Sequence, residues 1–198
     1  SYTFLDLAWG SDVDTVRARL QAAGFRIAGP LVEGAQPEFV VAGLLASLAS
    51  VDRGTRLVAN GRIAGQPVRV DLSFGKDQRL NHVIVTSQYW DGTVAGARAL
   101  VDLSTRLVML YETRYGAAIK RKDDGWVDTA LWPRAADGSL LAIYVRGIDG
   151  FMFSPSYKTA LRADFVGGRV AATTKIDLPP EADKEPPKPK PLTKQQLR

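Results

Sequence analysis

The chain contains one histidine and no cysteine, and these counts restrict the chemistry available to its side chains. Without cysteine there is no disulfide, no thiolate metal site and no cysteine nucleophile. His82 lies in a predicted strand, without a serine and an aspartate in the order of a known nucleophilic triad. Zinc held by a single histidine would need carboxylates as its remaining ligands. We therefore interpret His82 as a structural or surface residue and predict no metal and no cofactor.

The acidic residues show no spacing that indicates an acid–base site. Asp123 and Asp124 follow a Lys-Arg-Lys run, and a solvated turn explains them better than a cation site does. Asp71 alternates with the apolar residues of its predicted strand, so its side chain is expected to face solvent. Two-carboxylate catalysis requires carboxyl groups that converge on one bond. We assign no catalytic residue, and an enzyme built on His82 and aspartates is the least favoured alternative.

Motifs for phosphate and nucleic-acid binding are missing from the sequence. The stretch from Gly61 to Gly65 resembles a hairpin and lacks the lysine and spacing of a phosphate-binding loop. No Gly-x-Ser-x-Gly elbow occurs. Trp126 and Trp132 have arginines nearby in the sequence, but large core residues explain these tryptophans more simply. We do not expect nucleic acid as a partner.

A group of aromatic side chains defines the one pocket that the sequence suggests. These residues precede the predicted long helix, lie near its end or follow it, where a gap between helix and sheet would place them around a ligand. A small-ligand-binding protein is accordingly the main alternative function. The candidate lining residues are Tyr89, Trp90, Tyr111, Tyr115 and Trp132.

The segment from 178 to 198 is rich in proline, lysine and glutamate, with almost nothing to bury. Such a composition predicts an extended or disordered arm, partly in the polyproline II conformation. A chain that is already extended loses little entropy when it docks on a partner protein. A linker or a frayed terminus is the plainer alternative. The candidate partner-binding residues are Pro186, Pro187, Lys188, Pro189, Lys190 and Pro191.

The elements that must position these residues are organised around one long helix, predicted from Thr93 to Gly116. Apolar residues recur there at alternating steps of three and four, which gives a broad apolar face that a sheet must cover. Gly116 follows the last periodic residue, where a helix ends.

Before this helix, Tyr2 to Ala8 is predicted as a strand and Ser11 to Ala23 as a short helix capped by Ser11. Alternation from Arg56 to Thr86 predicts a three-stranded antiparallel meander. After the helix, a polar connection and further strands follow. These elements predict an α+β two-layer sandwich, a mainly antiparallel sheet with two helices, one of them long. We expect one domain over 2–177, followed by the arm over 178–198.

Composition and charge allow several cellular settings. Hydrophobic residues make up 45% of the 198 residues and the formal net charge is +5. No apolar run reaches the roughly 18 residues that a membrane-spanning helix requires, whereas contact with a membrane surface stays open. Ser1 could follow a removed initiator methionine or a cleaved export signal.

Two short patterns resemble a known group. The first is Trp9-Gly10 followed by Ser11, Val16, Leu20 and Gly24-Phe25, and the second is Leu110, Tyr111 and Tyr115-Gly116 ending a long helix. Together they look like a loose group of small bacterial α+β envelope domains. The first half also resembles the helix-plus-meander plan of the outer-membrane assembly lipoproteins of the SmpA/BamE type, although the chain has no lipid-bearing cysteine. The group has no agreed catalytic residues.

The resemblance implies a scaffold role in the bacterial periplasm or envelope, with a cytoplasmic location as the alternative. We therefore expect a non-catalytic binding or assembly subunit of an envelope or membrane-associated complex. Its surfaces would be the sheet and the C-terminal arm, and its partner would be a protein.

Overall fold

A computed structural model describes residues 1–33, 54–87, 93–123, 127–146 and 161–169. Two helices and nine strands have both ends in these ranges, and residues 168 and 169 are also helical. In chain order they are α1 (Val13–Ala22), β1 (Arg26–Ile27), β2 (Val32–Glu33), β3 (Thr55–Ile63), β4 (Gln66–Phe74), β5 (Leu80–Ser87), α2 (Val94–Tyr115), β6 (Ile119–Asp123), β7 (Val127–Leu131), β8 (Leu140–Arg146) and β9 (Leu161–Val166).

All nine strands belong to one antiparallel sheet. The strand order is β1-β3-β4-β5-β9-β8-β7-β6, and β2 also pairs with β3. The chain therefore forms a helix followed by antiparallel strands twice, first α1 with β1–β5 and then α2 with β6–β9. The last strands of the two halves, β5 and β9, pair with each other in the middle of the sheet. The predicted α+β class, a mainly antiparallel sheet with two helices of which one is long, is confirmed.

The long helix α2 forms where the sequence predicts it, and its ends are capped locally. The Thr93 hydroxyl accepts a hydrogen bond from Gly96 N at 2.9 Å, which satisfies one of the free donors of the first turn. Gly116 ends the helix at φ +88°, and its N–H donates to Glu112 O at 2.8 Å. Among the α2 residues whose burial the structure describes, the buried ones follow helical spacing: Leu103, Ser104, Leu107, Tyr111 and Tyr115.

Two predicted elements near the N-terminus are wrong in detail. Tyr2 to Ala8 is a turn rather than a strand, because Leu5 and Asp6 have φ values of +51° and +57°. The cap of α1 is Asp12, whose carboxylate accepts from Thr15 N at 2.8 Å, and not Ser11. The Ser11 hydroxyl instead donates to Ala8 O at 2.8 Å, which closes the turn before the helix.

The segment after α2, predicted as a polar connection, contains the edge strand β6, which pairs with β7 from Ile119↔Leu131 to Asp123↔Val127. Charged residues are common on edge strands, since they discourage pairing with other chains. The predicted meander of β3, β4 and β5 is confirmed, with a two-residue turn that sets Ile63 opposite Gln66.

The core lies between the helices and one face of the sheet. Alternate residues of β3, β4, β5, β8 and β9 join Val16 and Leu20 of α1 and the buried face of α2 in one hydrophobic cluster. Phe165 in β9 lies at its centre, with ring centroids 5.4 Å from Tyr111 and 5.8 Å from Phe4. The N-terminal turn therefore belongs to the core although it is not a strand.

We predict that Leu107→Ala lowers the free energy of unfolding by about 2–5 kcal/mol, because Leu107 is 2% exposed and its loss leaves a cavity. Met109→Ala is the matched control on the same helix. Met109 is 60% exposed, so its truncation should change stability by less than about 0.5 kcal/mol. Urea unfolding followed by circular dichroism measures both variants. An equal loss of stability in the two variants would contradict the orientation of α2, in which Leu107 faces the core and Met109 faces solvent.

Candidate functional site

Three chain segments enclose a small cleft at one end of the β5–β9 pair. They are Trp9-Gly10 from the N-terminal turn, Arg79 to Asn81 at the start of β5, and Gly167 to Arg169 after β9. We call this the Trp9 cleft. Its volume is about 230 Å³.

Backbone hydrogen bonds fix the three segments to one another. Gly10 N donates to Leu80 O at 3.0 Å, and Leu80 N donates to Ser11 O at 2.9 Å. Gly167 N donates to Asn81 O at 2.9 Å, which extends the β5–β9 pairing beyond the end of β9. The walls of the Trp9 cleft are therefore tied to the sheet by main-chain contacts.

Two glycines let the third segment pass close to its neighbours. A Cβ on Gly167 would lie 3.0 Å from Asn81 O and 3.1 Å from the Trp9 ring. A Cβ on Gly168 would lie 1.9 Å from Asp137 O, closer than atoms approach without a shift of the backbone. Glycine is required at 168 for close approach rather than for an unusual φ, whereas a side chain at 167 would make tight contacts.

The polar side chains that line the Trp9 cleft are Arg79, Asn81 and Arg169, together with the indole of Trp9. Trp9 Nε1 is shielded from solvent and has no hydrogen-bond partner among the described residues. Arg79 Nη1 donates to Gly10 O at 3.3 Å and lies 3.8 Å from Asp12 Oδ2. Arg169 Nη1 lies 2.8 Å from Asp77 Oδ2. Buried polar atoms nearly always find a partner in native proteins, so the indole N–H of Trp9 is the unusual feature of this site.

The two carboxylates beside the cleft are stabilised in their charged form. The hydrogen bond from Thr15 N is the main cause that lowers the pKa of Asp12, with a smaller contribution from Arg79. The hydrogen bond from Arg169 is the main cause that lowers the pKa of Asp77. Both side chains are exposed to solvent, so these contacts orient the arginines without contributing much to stability.

A second group of polar side chains lies on the face of the sheet opposite the core, at the β5–β9 pair. His82 Nε2 is 3.0 Å from Asp164 Oδ1, and Arg162 donates to both oxygens of the same carboxylate at 2.6 and 2.8 Å. We call His82, Arg162 and Asp164 the seam cluster. Burial on its own would raise the pKa of Asp164, but the charge of Arg162 and the hydrogen bonds outweigh it, and the pKa is lowered.

Asp71 on β4 has a similar environment. Arg69 donates to its two oxygens at 2.9 and 3.0 Å, and Arg56 Nη1 is 3.7 Å away. The prediction that Asp71 faces solvent is wrong, since this residue is 6% exposed. Alternation along β4 does place Asp71 opposite the core, but that face is buried as well. A repeated Arg-x-Asp spacing, at 69–71 and 162–164, is the sequence signal that could have indicated both clusters.

An imidazole oriented by a carboxylate is an arrangement that can act as a general base. In the seam cluster, however, Arg162 holds the same carboxylate that contacts the imidazole. Asp164 is 1% exposed and His82 is 8% exposed, so a substrate has little access to either. The geometry is that of a buried ionic network that joins two strands. The sequence interpretation of His82 as structural is consistent with this geometry.

Three residues of the predicted aromatic pocket are described by the structure: Tyr111, Tyr115 and Trp132. Their side chains contact one another in the hydrophobic core. Tyr111 stacks on Tyr115 with ring centroids 6.0 Å apart, and Trp132 meets Tyr111 edge-on at 6.2 Å. The three side chains are 5%, 2% and 0% exposed, so a ligand would have to displace one of them. Burial also raises the pKa of Tyr111. Their role as pocket walls stays a prediction, and Tyr89 and Trp90 lie outside the described residues.

The candidate partner-binding residues from Pro186 to Pro191 also lie outside the described residues. Sequence reasoning did not single out Trp9 and Arg79 as site residues, or the Gly-Gly-Arg segment at 167–169. Within the ranges that the structure describes, no group of three or more histidine or acidic side chains is placed to hold a metal ion. No helix in those ranges is long and apolar enough to cross a membrane.

We predict that Asp164→Asn destabilises the protein by about 3–5 kcal/mol at neutral pH, because it removes the buried carboxylate that pairs with Arg162, whose side chain is only 14% exposed. Since the pKa of Asp164 is lowered on folding, the unfolded chain binds more protons below about pH 4. The stability from this group is therefore complete above about pH 4 and is lost as the pH falls through the folded-state pKa. The variant should show a shallower loss of stability in acid.

Urea unfolding at a series of pH values measures this effect. Asp102→Asn is the control, because Asp102 lies exposed on α2 and its substitution should change stability by less than about 0.5 kcal/mol at neutral pH. An Asp164→Asn variant as stable as the control would contradict the ionic role of the seam cluster.

In comparisons with known proteins, no family model, no curated protein and no solved structure matches the chain.

Proposed function

We propose that the protein is a non-catalytic binding or assembly subunit that recognises a protein partner through the Trp9 cleft, the sheet surface and the C-terminal arm. The observation that carries this proposal is the size and composition of the cleft. Its volume of about 230 Å³ is below the roughly 300–1,000 Å³ of pockets that hold a drug-sized ligand. A space of this size takes one side chain or one chain terminus of a larger molecule.

The cleft therefore supports partner recognition more than it supports the alternative of a small-ligand pocket. The predicted pocket between helix and sheet has less support, since Tyr111, Tyr115 and Trp132 are already packed against one another. A partner could also add a strand at the edge of the sheet. Among the described strands, β6 pairs on one side only, with β7.

The buried ionic groups support a role without catalysis. Asp71 is held by Arg69 and Arg56, and Asp164 by Arg162 and His82. A catalytic acid or base must exchange protons with a substrate, and these groups are engaged with one another and shielded. Their arrangement suits a rigid sheet that presents a surface.

The resemblance to envelope domains of the SmpA/BamE type is the basis for proposing a location in the bacterial periplasm or envelope, with the cytoplasm as the alternative. An assembly subunit of an envelope or membrane-associated complex fits a chain with a basic, proline-rich arm. The net charge of +5 would favour anionic partners or surfaces.

Photo-crosslinking in the source cell tests this function. A photoreactive residue is placed at Arg79 or Arg169, which are exposed at the cleft, and at Met109 on α2 as the control. We expect the two cleft positions to give the same adduct with another protein, and Met109 to give none of it. Adducts that are absent at both cleft positions, or identical at all three, would count against partner recognition by the cleft.

Deletion of Pro179 to Arg198 tests the contribution of the arm. If the arm contacts the partner, the deleted chain should recover less partner in pull-down, by roughly 10-fold or more if the arm contributes several contacts. The thermal unfolding midpoint should change little, because the segment has almost nothing to bury. Unchanged recovery of the partner would remove the arm from the proposal and leave the Trp9 cleft as its basis.

A further inference from the structure

We propose that the segment 1–4 is exchanged between two copies of this chain, so that Tyr2 and Phe4 of each copy fill the site of the other. The partner that this surface fits is therefore a second copy of the chain. Three observations carry the inference: a site made by distant residues, a strained turn that links the segment to the rest of the chain, and contacts at solvent that hold this turn closed. The inference does not depend on the proposed function of the Trp9 cleft.

The first observation is the site that holds the segment 1–4. Tyr2 N donates to Ser139 Oγ at 2.9 Å, and Thr3 N donates to the Tyr115 hydroxyl at 3.3 Å. The Tyr2 ring meets the Tyr115 ring edge-on, with centroids 4.8 Å apart. These partners lie 137 and 112 positions further along the chain, so the site does not require that the same copy supplies the segment.

Phe4 completes this arrangement. Its ring centroid lies 5.9 Å from that of Phe25 and 5.8 Å from that of Phe165, and Phe4 is 2% exposed. A segment supplied by a second copy would make the same contacts at the same site. The contact energy is then equal in both arrangements, so the stretch that connects the segment to its own chain decides between them.

The second observation is the turn that makes this connection. Leu7 N donates to Phe4 O at 3.0 Å, and the two central residues, Leu5 and Asp6, have φ values of +51° and +57°. A turn with two positive φ values favours glycine, asparagine and aspartate at its centre, so Asp6 is acceptable but the bulky Leu5 is an outlier. A segment that crosses to another copy must open this turn, which relieves the strain in both chains.

The β3–β4 turn shows the usual solution for such a backbone. Ala64 and Gly65 have φ values of +49° and +77° there, and the glycine adopts a positive φ without strain. A segment tethered beside its own site has an effective concentration of about millimolar, which normally favours closure within one copy. Strain at Leu5 lowers this advantage, and short strained connections favour exchange between copies.

The third observation concerns the contacts that keep the turn closed. Arg19 Nε donates to Leu5 O at 2.9 Å, and Asp6 is paired with both Arg19 and Arg114. The Asp6 and Arg19 side chains are 55% and 51% exposed, so solvent screens their attraction. Opening the turn therefore sacrifices contacts that contribute little to stability.

The reach of the opened turn limits the shape of the dimer. Leu7 is 3% exposed and is expected to stay in the core of its own copy. The connection from Phe4 to Leu7 then extends to about 10 Å at most, so the two copies must contact each other beside the turn. The result is a compact symmetric dimer with two equivalent exchanged segments.

Disulfide trapping tests the exchange, because the chain has no cysteine of its own. Ser1 N lies 3.8 Å from Asp137 Oδ1 and both side chains are exposed, so cysteines at these positions are expected to bond without disturbing the core. Full-length Ser1→Cys and Asp137→Cys chains are mixed at high concentration and oxidised. We expect a disulfide-linked pair of the two variants, since these cysteines meet only when the segment of one copy lies in the site of the other.

Ser1→Cys mixed with Met109→Cys is the control for random collision, because Met109 is exposed on α2. Non-reducing electrophoresis measures the yield of linked pairs, and mass spectrometry identifies the two chains. The control mixture should give only a background yield.

Substitutions of Leu5 test the role of strain. Asparagine tolerates a positive φ and the β-branched valine does not, whereas both shorten the side chain. Light scattering after size exclusion should show that Leu5→Val dimerises about 10-fold or more tightly than Leu5→Asn. Ala64→Val is the matched control, because it strains the β3–β4 turn without a segment to exchange, and it should dimerise no more than the parent chain. Circular dichroism melting establishes that each variant is folded.

Either of two results would overturn the proposal. The first is a yield of the disulfide between positions 1 and 137 no higher than that of the Met109 control, even if a dimer forms, since that dimer would use another surface. The second is equal dimerisation of Leu5→Val and Leu5→Asn while both are folded. The photo-crosslinks at Arg79 and Arg169 test the proposed function separately, so the failure of one proposal leaves the other standing.

Discussion

The antiparallel pairing of β5 with β9 is the contact on which the other features of this molecule depend. It runs from His82↔Val166 to Thr86↔Arg162 and continues to the hydrogen bond between Gly167 N and Asn81 O. This pairing joins two halves that are each a helix with antiparallel strands. Because it fixes the register, it also brings His82 beside Asp164 and sets Gly167 against the Trp9 ring.

The two faces and the end of the β5–β9 pair have different roles in the core, the seam cluster and the Trp9 cleft. Apolar residues such as Val83 and Phe165 join the core on one face. His82 and Asp164 form their hydrogen bond on the other face, where the charge of Arg162 offsets the burial of Asp164. At the end of the pair, Asn81 and Gly167 give the Trp9 cleft a main-chain wall. A shift of register by one residue would exchange the two faces.

Elements that depend on residues close together in the sequence could be predicted from the sequence alone. The helix α2 has an apolar face, a threonine cap and a terminal glycine in continuous sequence, and the β3–β5 meander alternates clearly. The turn at Leu5 and Asp6 was missed because Tyr2, Phe4 and Leu7 all insert into the core and imitate a strand. Strand β6 was missed because a charged edge strand lacks apolar alternation.

The candidate sites are formed by residues that lie far apart in the sequence, so no local sequence pattern predicts their contacts. His82 and Asp164 are separated by 82 positions, and the Trp9 cleft combines segments near residues 9, 80 and 168. The burial of Asp71 was not predicted because alternation tells only which face a residue occupies, and whether that face is covered depends on distant parts of the chain. The Arg-x-Asp repeat was visible in the sequence, but without the strand order it did not indicate which residues meet.

The central position of β9 has a consequence for how the chain is made. Between the end of β5 at Ser87 and the start of β9 at Leu161 lie 73 residues, which a ribosome adds in about 4–15 s at typical rates of synthesis. During that interval the inner edge of β5, with its run of Val83, Ile84 and Val85, has no native neighbour. An unpaired apolar edge is a template for association with other chains. Pairing with β9 covers this edge only after most of the chain has been made.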